Sequence, residues 1–224
     1  MMSKLQQIAI DGPAGAGKST IARLLARQLG YLYVDTGAMY RAVTLKVLKQ
    51  GLDPGDEKEI ADMLTETEVD LIPATEGLRV ILDGEDVSDA IRTPQVSQAV
   101  SQVARIPAVR EKLTIWQRAL GEKWPVVMDG RDIGTVVLPE AEHKFFLTAS
   151  LEERARRRYL ELKSKGYTQS FESLLEEMAL RDKMDSGREI APLKPAEDAQ
   201  IIDTTGMTIE EVVNELLKRL GGNT

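Results

Sequence analysis

The segment Gly12-Pro13-Ala14-Gly15-Ala16-Gly17-Lys18-Ser19, followed by Thr20, restricts the fold of this chain more than any other. It matches the G-x-x-x-x-G-K-[ST] pattern, in which glycines let a tight loop turn its backbone N–H groups toward phosphate oxygens. Its flanks agree. Gln7 to Ile10 is a short apolar run ending at Asp11, and Lys18 to Leu29 places Ile21, Leu24, Leu25 and Leu29 at helical spacing before Gly30. A strand feeding a loop that feeds a helix presents the positive helix end and free N–H donors to an anion. Lys18 then supplies a mobile charge to the outer phosphates, and the Ser19 hydroxyl suits Mg²⁺.

The rest of the chain reads as a parallel sheet interrupted once. Tyr31 to Val34 predicts a second strand, and Ala38 to Gln50 a helix. Val69 to Ile72, Leu78 to Leu82 and Glu85 to Val87 predict short antiparallel strands, with Asp83-Gly84 as a hairpin turn. They suggest an insert over about residues 61–93. Helices are expected over Pro94 to Arg105 and Pro107 to Lys123. The strand–helix pattern resumes with Val126 to Met128, Lys144 to Leu147, a helix capped by Ser150, a helix from Phe171 to about Asp185, and the strand Gln200 to Asp203. Thr208 caps a closing helix that stops at Gly221-Gly222.

Charge excludes some functions. A net charge of −7 over 224 residues argues against coating nucleic acid or an anionic membrane. The chain has no cysteine, so thiolate chemistry and disulfides are out. Its start, Met1-Met2-Ser3-Lys4, lacks the apolar core of a leader, and no apolar run is long enough to span a bilayer. A cytoplasmic, monomeric enzyme is expected. The one histidine, His143, reads as a surface residue.

The loop alone does not choose a reaction. The guanine-reading N/T-K-x-D segment is matched only by Asp182-Lys183-Met184-Asp185, with aspartate in the first position, and there is no LSGGQ-like stretch. A second, phosphorylated substrate explains the arginines better, because a second dianion beside the first needs several guanidiniums. Asp129, ending an apolar strand, fits an acidic Mg²⁺ partner; Asp11 reads mainly as a turn residue. Arg41 lies one turn into a helix and Arg131 follows Asp129-Gly130. Arg181, Asp185 and Arg188 share a helical face if the helix outlasts Gly187. Arg181 and Asp185 also fit a surface ion pair. Arg154, Arg157 and Arg158, beside Glu152, Glu153 and Glu161, fit equally a solvated charge network and a lid over the transferring group.

Taken in order, GPAGAGKST (12–20), DTGAMYR (35–41), SQVA (101–104), VR (109–110), DGRDIGTVV (129–137), LRDKMDSGR (180–188) and APLKPAEDAQIIDTT (191–205) resemble bacterial cytidylate kinases across nearly the whole chain. The resemblance implies an α/β P-loop nucleoside-monophosphate kinase fold: a five-stranded parallel sheet flanked by helices, with a small antiparallel insert in the monophosphate-binding lobe. It implies a core of residues 1–35 and 125–224 with a lid near 150–166, and an acceptor lobe of residues 36–124. It implies Mg²⁺-dependent transfer from ATP to CMP or dCMP. Gly12, Pro13, Ala14, Gly15, Ala16, Gly17, Lys18, Ser19 and Thr20 would hold ATP; Ser19 and Asp129 would hold the metal. Lys18, Asp129, Arg131, Arg154 and Arg158 would act on the transferring group. Thr36, Arg41 and Arg131 would take the acceptor phosphate, with the hydroxyl of Thr36 replacing the serine of some relatives. Ser101, Arg110, Asp132 and Arg188 would surround the base, and Arg181 and Asp185 the sugar. Phosphorylation of UMP and a nucleotide-regulated binding module stand as the two rival readings.

Overall fold

A computed structural model describes residues 6–74 and 77–221; Met1 to Lys4 and Gly222, read above for a leader and a helix stop, lie outside them. Apolar strand residues decide the architecture. Strand β1 (Gln7–Asp11) runs between β6 (Val126–Gly130) and β7 (His143–Thr148), flanked by β2 (Leu32–Asp35) and β8 (Gln200–Asp203). The order is β2-β6-β1-β7-β8, every pairing is parallel, and all five residues of β6 are buried. Nearly continuous apolar strands demand cover on both faces. On one face Ile8, Ile10, Val127, Phe145 and Leu147 pack against helix α1 (Lys18–Leu29) and the closing helix α8 (Ile209–Gly221). On the other, Ala9, Val34, Met128, Ile133 and Val137 form a second layer. Within α1, Ile21 and Leu25 are buried, each stabilising by about 1.5–3 kcal/mol. Gly30 ends the helix in the left-handed conformation and donates its N–H to the Ala26 carbonyl.

A separate core holds the intervening lobe together. Helices α2 (Thr36–Lys49), α3 (Glu57–Thr65), α4 (Pro94–Val103) and α5 (Pro107–Lys123) enclose Met39, Val43, Ile60, Val100, Val103 and Leu113. The antiparallel strands β3 (Val69–Ala74), β4 (Gly77–Leu82) and β5 (Glu85–Asp86) pack on it. Asp83 and Gly84 both have positive φ, 49° and 84°, as a two-residue primed turn requires.

Four local expectations change. Helix α2 starts at Thr36, because the Asp35 carboxylate accepts from the N–H of Ala38 at 2.9 Å. Helix α3 was not expected, although Asp56 caps it by accepting from the N–H groups of Lys58 and Glu59. Helix α4 ends at Val103, short of Arg105. One turn of π-helix over Ile133–Val137 replaces a featureless connection. Its N–H groups at Ile133 and Gly134 donate to Asp11 at 2.8 and 2.7 Å, while Arg118 donates to the carbonyls of Val136 and Val137. Asp11, read above as a turn residue, is the last residue of β1, and its carboxylate caps the segment after Asp132.

Helices α6 (Leu151–Ser164) and α7 (Phe171–Ser186) form a hairpin around Ala155, Leu162, Leu174 and Met178. Ser150 accepts from the N–H of Glu153, but Glu153 turns to Arg156 and Arg157 instead of completing a reciprocal cap. In contrast, Thr208 and Glu211 exchange both bonds at the start of α8.

The tightest backbone approach lies where β1 enters the loop. Gly12 has φ 147°, and a Cβ there would sit 2.0 Å from the Leu147 carbonyl oxygen. Gly12→Ala is expected to cost several kcal/mol, on the order of a severe core lesion. A thermal melt within a degree or two of the parent would contradict this account.

Candidate active site

The order β2-β6-β1 brings two chain ends together that are far apart in sequence. The loop follows β1, and Asp129 sits near the end of the neighbouring strand, in register with Ile10 and with Asp35 of β2. Ser19 donates through its hydroxyl to Asp129 Oδ2 at 2.8 Å, and Tyr33 donates to Oδ1 at 2.9 Å. Thr36 reaches the same place from α2, donating its hydroxyl to the Asp129 carbonyl at 2.7 Å. A hydroxyl beside a buried carboxylate oxygen is a hard-donor pair that suits Mg²⁺ completed by substrate phosphates. Burial first, and then the neighbouring Asp35, push the Asp129 carboxyl up to about 6, against the opposing pull of Lys18, Ser19 and Tyr33.

Lys18 is buried at the first position of α1 and donates to the Pro13 carbonyl at 2.7 Å. Its ammonium is driven well below the usual lysine range, by burial first and then by Arg131, with Arg181 adding to the repulsion and Asp129 opposing it. The lysine of the loop and the arginines of the second half of the chain thus sense one another directly.

Those arginines gather on Asp185. This buried carboxylate accepts from Arg131 Nε at 2.9 Å and from the Ser101 hydroxyl at 3.2 Å. Arg181 and Arg188 lie at 4.0 and 3.9 Å. Burial would raise the Asp185 carboxyl, but Arg131, Arg181 and Arg188 outweigh it and hold it below its ordinary value. Arg181 is lowered to about 10, by burial and by Arg131, Arg41 and Arg158. Helix α7 ends at Ser186, so Arg188 arrives from the following turn and not from the helical face. There its Nε donates to the Asp185 carbonyl at 3.1 Å.

Nearby, Arg110 pairs with Asp132, both deeply buried, donates to the Ala104 carbonyl at 3.1 Å and lies over the Tyr40 ring at 5.6 Å. Arg41 donates to Asp35 at 3.0 Å. Three guanidinium atoms of this cluster, Arg41 Nε, Arg181 Nε and Arg188 Nη2, are buried without an acceptor. Buried donors of that kind are costly unless a ligand supplies the missing oxygens.

The lid arginines divide. Arg158 donates to Glu161 at 2.7 Å, and Arg156 and Arg157 share Glu153, which is the charge network. Arg154 is buried and committed to protein acceptors around the loop. Arg157 also holds Thr204 and passes 3.9 Å from the Cβ position of Gly17. Sequence reading assigned no role to Tyr33, Asp35, Tyr40 or Asp182. Asp35 carried a signal as the helix cap before Thr36; Tyr33 carried none. His143 is half-buried in β7.

The sequence comparisons point to one family. The sequence model of the family described as cytidylate kinase matches residues 8–221. A cytidylate kinase of Carboxydothermus hydrogenoformans is 56% identical over 215 residues, covering 96% of this chain and 97% of the relative. The cytidylate kinase of Bacillus subtilis is 52% identical over 217 residues, covering 97% of each. Among solved structures, an uncharacterized protein from Eubacterium ventriosum shares the fold, with a TM-score of 0.53 at 13% identity over 98% of this chain and all of its own.

Because Asp129 titrates near 6, protons should compete with a divalent ion for it. Between pH 7.5 and 5, Mn²⁺ binding in the presence of ADP is expected to weaken by about tenfold more in the parent than in Asp129→Asn. Equal pH slopes in titrations of the two proteins would show that Asp129 is not a ligand.

Proposed function

The chain belongs to the cytidylate kinase family, and from that premise we propose that it transfers the γ-phosphoryl group of ATP, with Mg²⁺, to CMP or dCMP. The observation that carries this reading is the convergence of Lys18 with Arg131 and Arg181, and of Arg181 with Arg41 and Arg158. So many cations within mutual reach, only partly offset by Asp129, Asp185 and Asp35, suit a polyanion. The buried guanidinium atoms lacking acceptors point to the same missing oxygens.

In this mechanism an oxygen of the acceptor phosphate attacks the γ-phosphorus in line, the new O–P bond forms, and the bond to the β-phosphate oxygen breaks to release ADP. The acceptor phosphate has a second pKa near 6 and is largely dianionic at neutral pH, so no general base is required. Lys18 and the arginines hold the two phosphate chains end to end and stabilise charge on the moving group. Ser19 and Asp129 would hold Mg²⁺, which would supply positive charge to offset that developing on the phosphates.

Closure of the 36–124 lobe and of the 150–166 segment over the core would exclude water. The lobe's own hydrophobic core, distinct from those of the sheet, is what supports such a movement. We take the enzyme to act as a monomer in the cytoplasm. Among the described residues no helix is long and apolar enough to cross a membrane.

Asp132 accepting from the cytosine amino group, with Arg110 or Arg188 donating to N3 or O2, would select cytosine. Uracil reverses the N3 and exocyclic pattern, and each unpaired buried group costs about 1–3 kcal/mol. A coupled assay with CMP, dCMP, UMP, AMP and GMP is therefore expected to show kcat/KM for CMP about a hundredfold or more above UMP. Comparable rates with UMP would overturn the base assignment, and ATP turnover indifferent to every monophosphate would favour a nucleotide-regulated module. Lys18→Met should lower CMP phosphorylation by about a hundredfold or more; near-parent turnover would remove Lys18 from the mechanism.

A further inference from the structure

We propose that Asp182 is a positioning residue that, through Arg154, ties the acceptor-side helix α7 to the ATP-binding loop, so that donor binding sets the placement of Arg181 and Asp185. The starting observation is that Arg154 reaches three separate elements with one planar group. Its Nε donates to the Ala149 carbonyl after β7 at 2.9 Å and its Nη1 to the Ala14 carbonyl within the loop at 3.1 Å, while its Nη2 forms an ion pair with Asp182 Oδ2 in α7 at 2.7 Å. The Arg154 side chain is only 7% exposed, so these contacts are made out of water, where an ion pair with added hydrogen bonds is geometrically demanding.

The contact is also close in the backbone. Gly15 has φ 77°, and a Cβ there would lie 2.9 Å from both Cβ and the carbonyl oxygen of Arg154, and 3.0 Å from the Met178 methyl. Helices α6 and α7 are thus seated directly on the loop. Asp182 has no other acceptor duty among the described residues: its Oδ1 is buried without a partner. Its neighbour Arg181 and, one turn on, Asp185 are the α7 side chains that meet in the arginine cluster, where Asp185 accepts from Arg131 and Ser101. A displacement of the loop at Ala14 is therefore carried by a single guanidinium to the helix that arranges the acceptor ring. Lysine in place of Arg154 offers one ammonium and no planar fork, and cannot span three acceptors in this geometry.

The inference takes the two-pocket kinase reading as its frame, and its test separates the two. Hydrogen exchange of the α7 amides is followed with and without a non-hydrolysable ATP analogue, in the absence of any monophosphate. In the parent protein the analogue is expected to slow exchange in α7 severalfold; in Asp182→Asn that response is lost, and Asp182→Glu, which keeps the charge, recovers part of it. Alongside, Asp182→Asn is expected to raise KM for CMP about tenfold and to lower kcat, while the Kd for ADP alone changes less than threefold. Should Asp182→Asn fail to fold, Arg154→Lys takes its place in the same measurement. An α7 response in the variant equal to that of the parent overturns the proposal, whatever the melting temperature; so does a parent that shows no response. A parent that responds but phosphorylates no CMP leaves this coupling standing and removes the cytidylate reading instead.

Discussion

Repulsion among buried cations is the constraint on which the site depends. Burial first, and then the nearby Arg131, lower the proton affinity of both Lys18 and Arg181. Such a cluster survives folding only because carboxylates stand within it. Asp129 faces the lysine, Asp185 collects Arg131, Arg181 and Arg188, Asp132 takes Arg110, and Asp35 takes Arg41. Each pair offsets the desolvation of its partner without consuming every donor, and three guanidinium atoms are left buried without an acceptor. A ligand rich in oxygens fits that remainder.

Sheet order makes the cluster possible. Because β6 lies between β1 and β2, the loop after β1 and the carboxylate near the end of β6 meet although 110 positions separate Ser19 from Asp129. Open parallel sheets bind ligands at such a divergence of connections, beyond the carboxyl ends of the strands. The buried Asp11 carries the same logic one step further. From the last position of β1 it caps the two N–H groups that begin the π-turn after Asp132, so the donor loop and the segment bearing Arg131 and Asp132 share an anchor. Burial pushes that carboxyl up to about 7, with two backbone N–H donors and Lys18 pulling the other way and Asp132 adding to the rise.

Three helices then frame the two pockets with different degrees of freedom. Helix α2 is pinned at its start by the Asp35 cap and so holds Thr36 and Arg41 against the sheet. Helices α6 and α7 share a small core of their own, with Tyr159 and Phe171 meeting edge to face at 6.1 Å. They meet the loop through the Arg154 bond to the Ala14 carbonyl and through Ala14 packing on that small core, while Arg157 ties α6 to Thr204. A hairpin fastened in this way can shift with modest cost, as a closing element must.

Much of this was legible from residues alone, for reasons confined to a few positions of chain. The glycine loop between an apolar strand and an amphipathic helix, the prolines opening α4 and α5, and the Asp83-Gly84 turn all follow from backbone sterics and periodicity. Helix α3 also left its marks, in the Asp56 cap and in Ile60, Met63 and Leu64, but it is only nine residues long and lies beside an evident hairpin. The π-turn could not be read, because Ile133–Val137 is a β-branched stretch held in shape by Asp11 and Arg118 from elsewhere. Nor could sequence say that Arg154 would be buried against the loop while Arg158, four residues on, pairs with Glu161. Local pattern determined which elements form and which residue types the chemistry draws on. Only the tertiary structure decided which carboxylate each arginine meets, since charge acts through space and the packing of helices on the sheet fixes those distances.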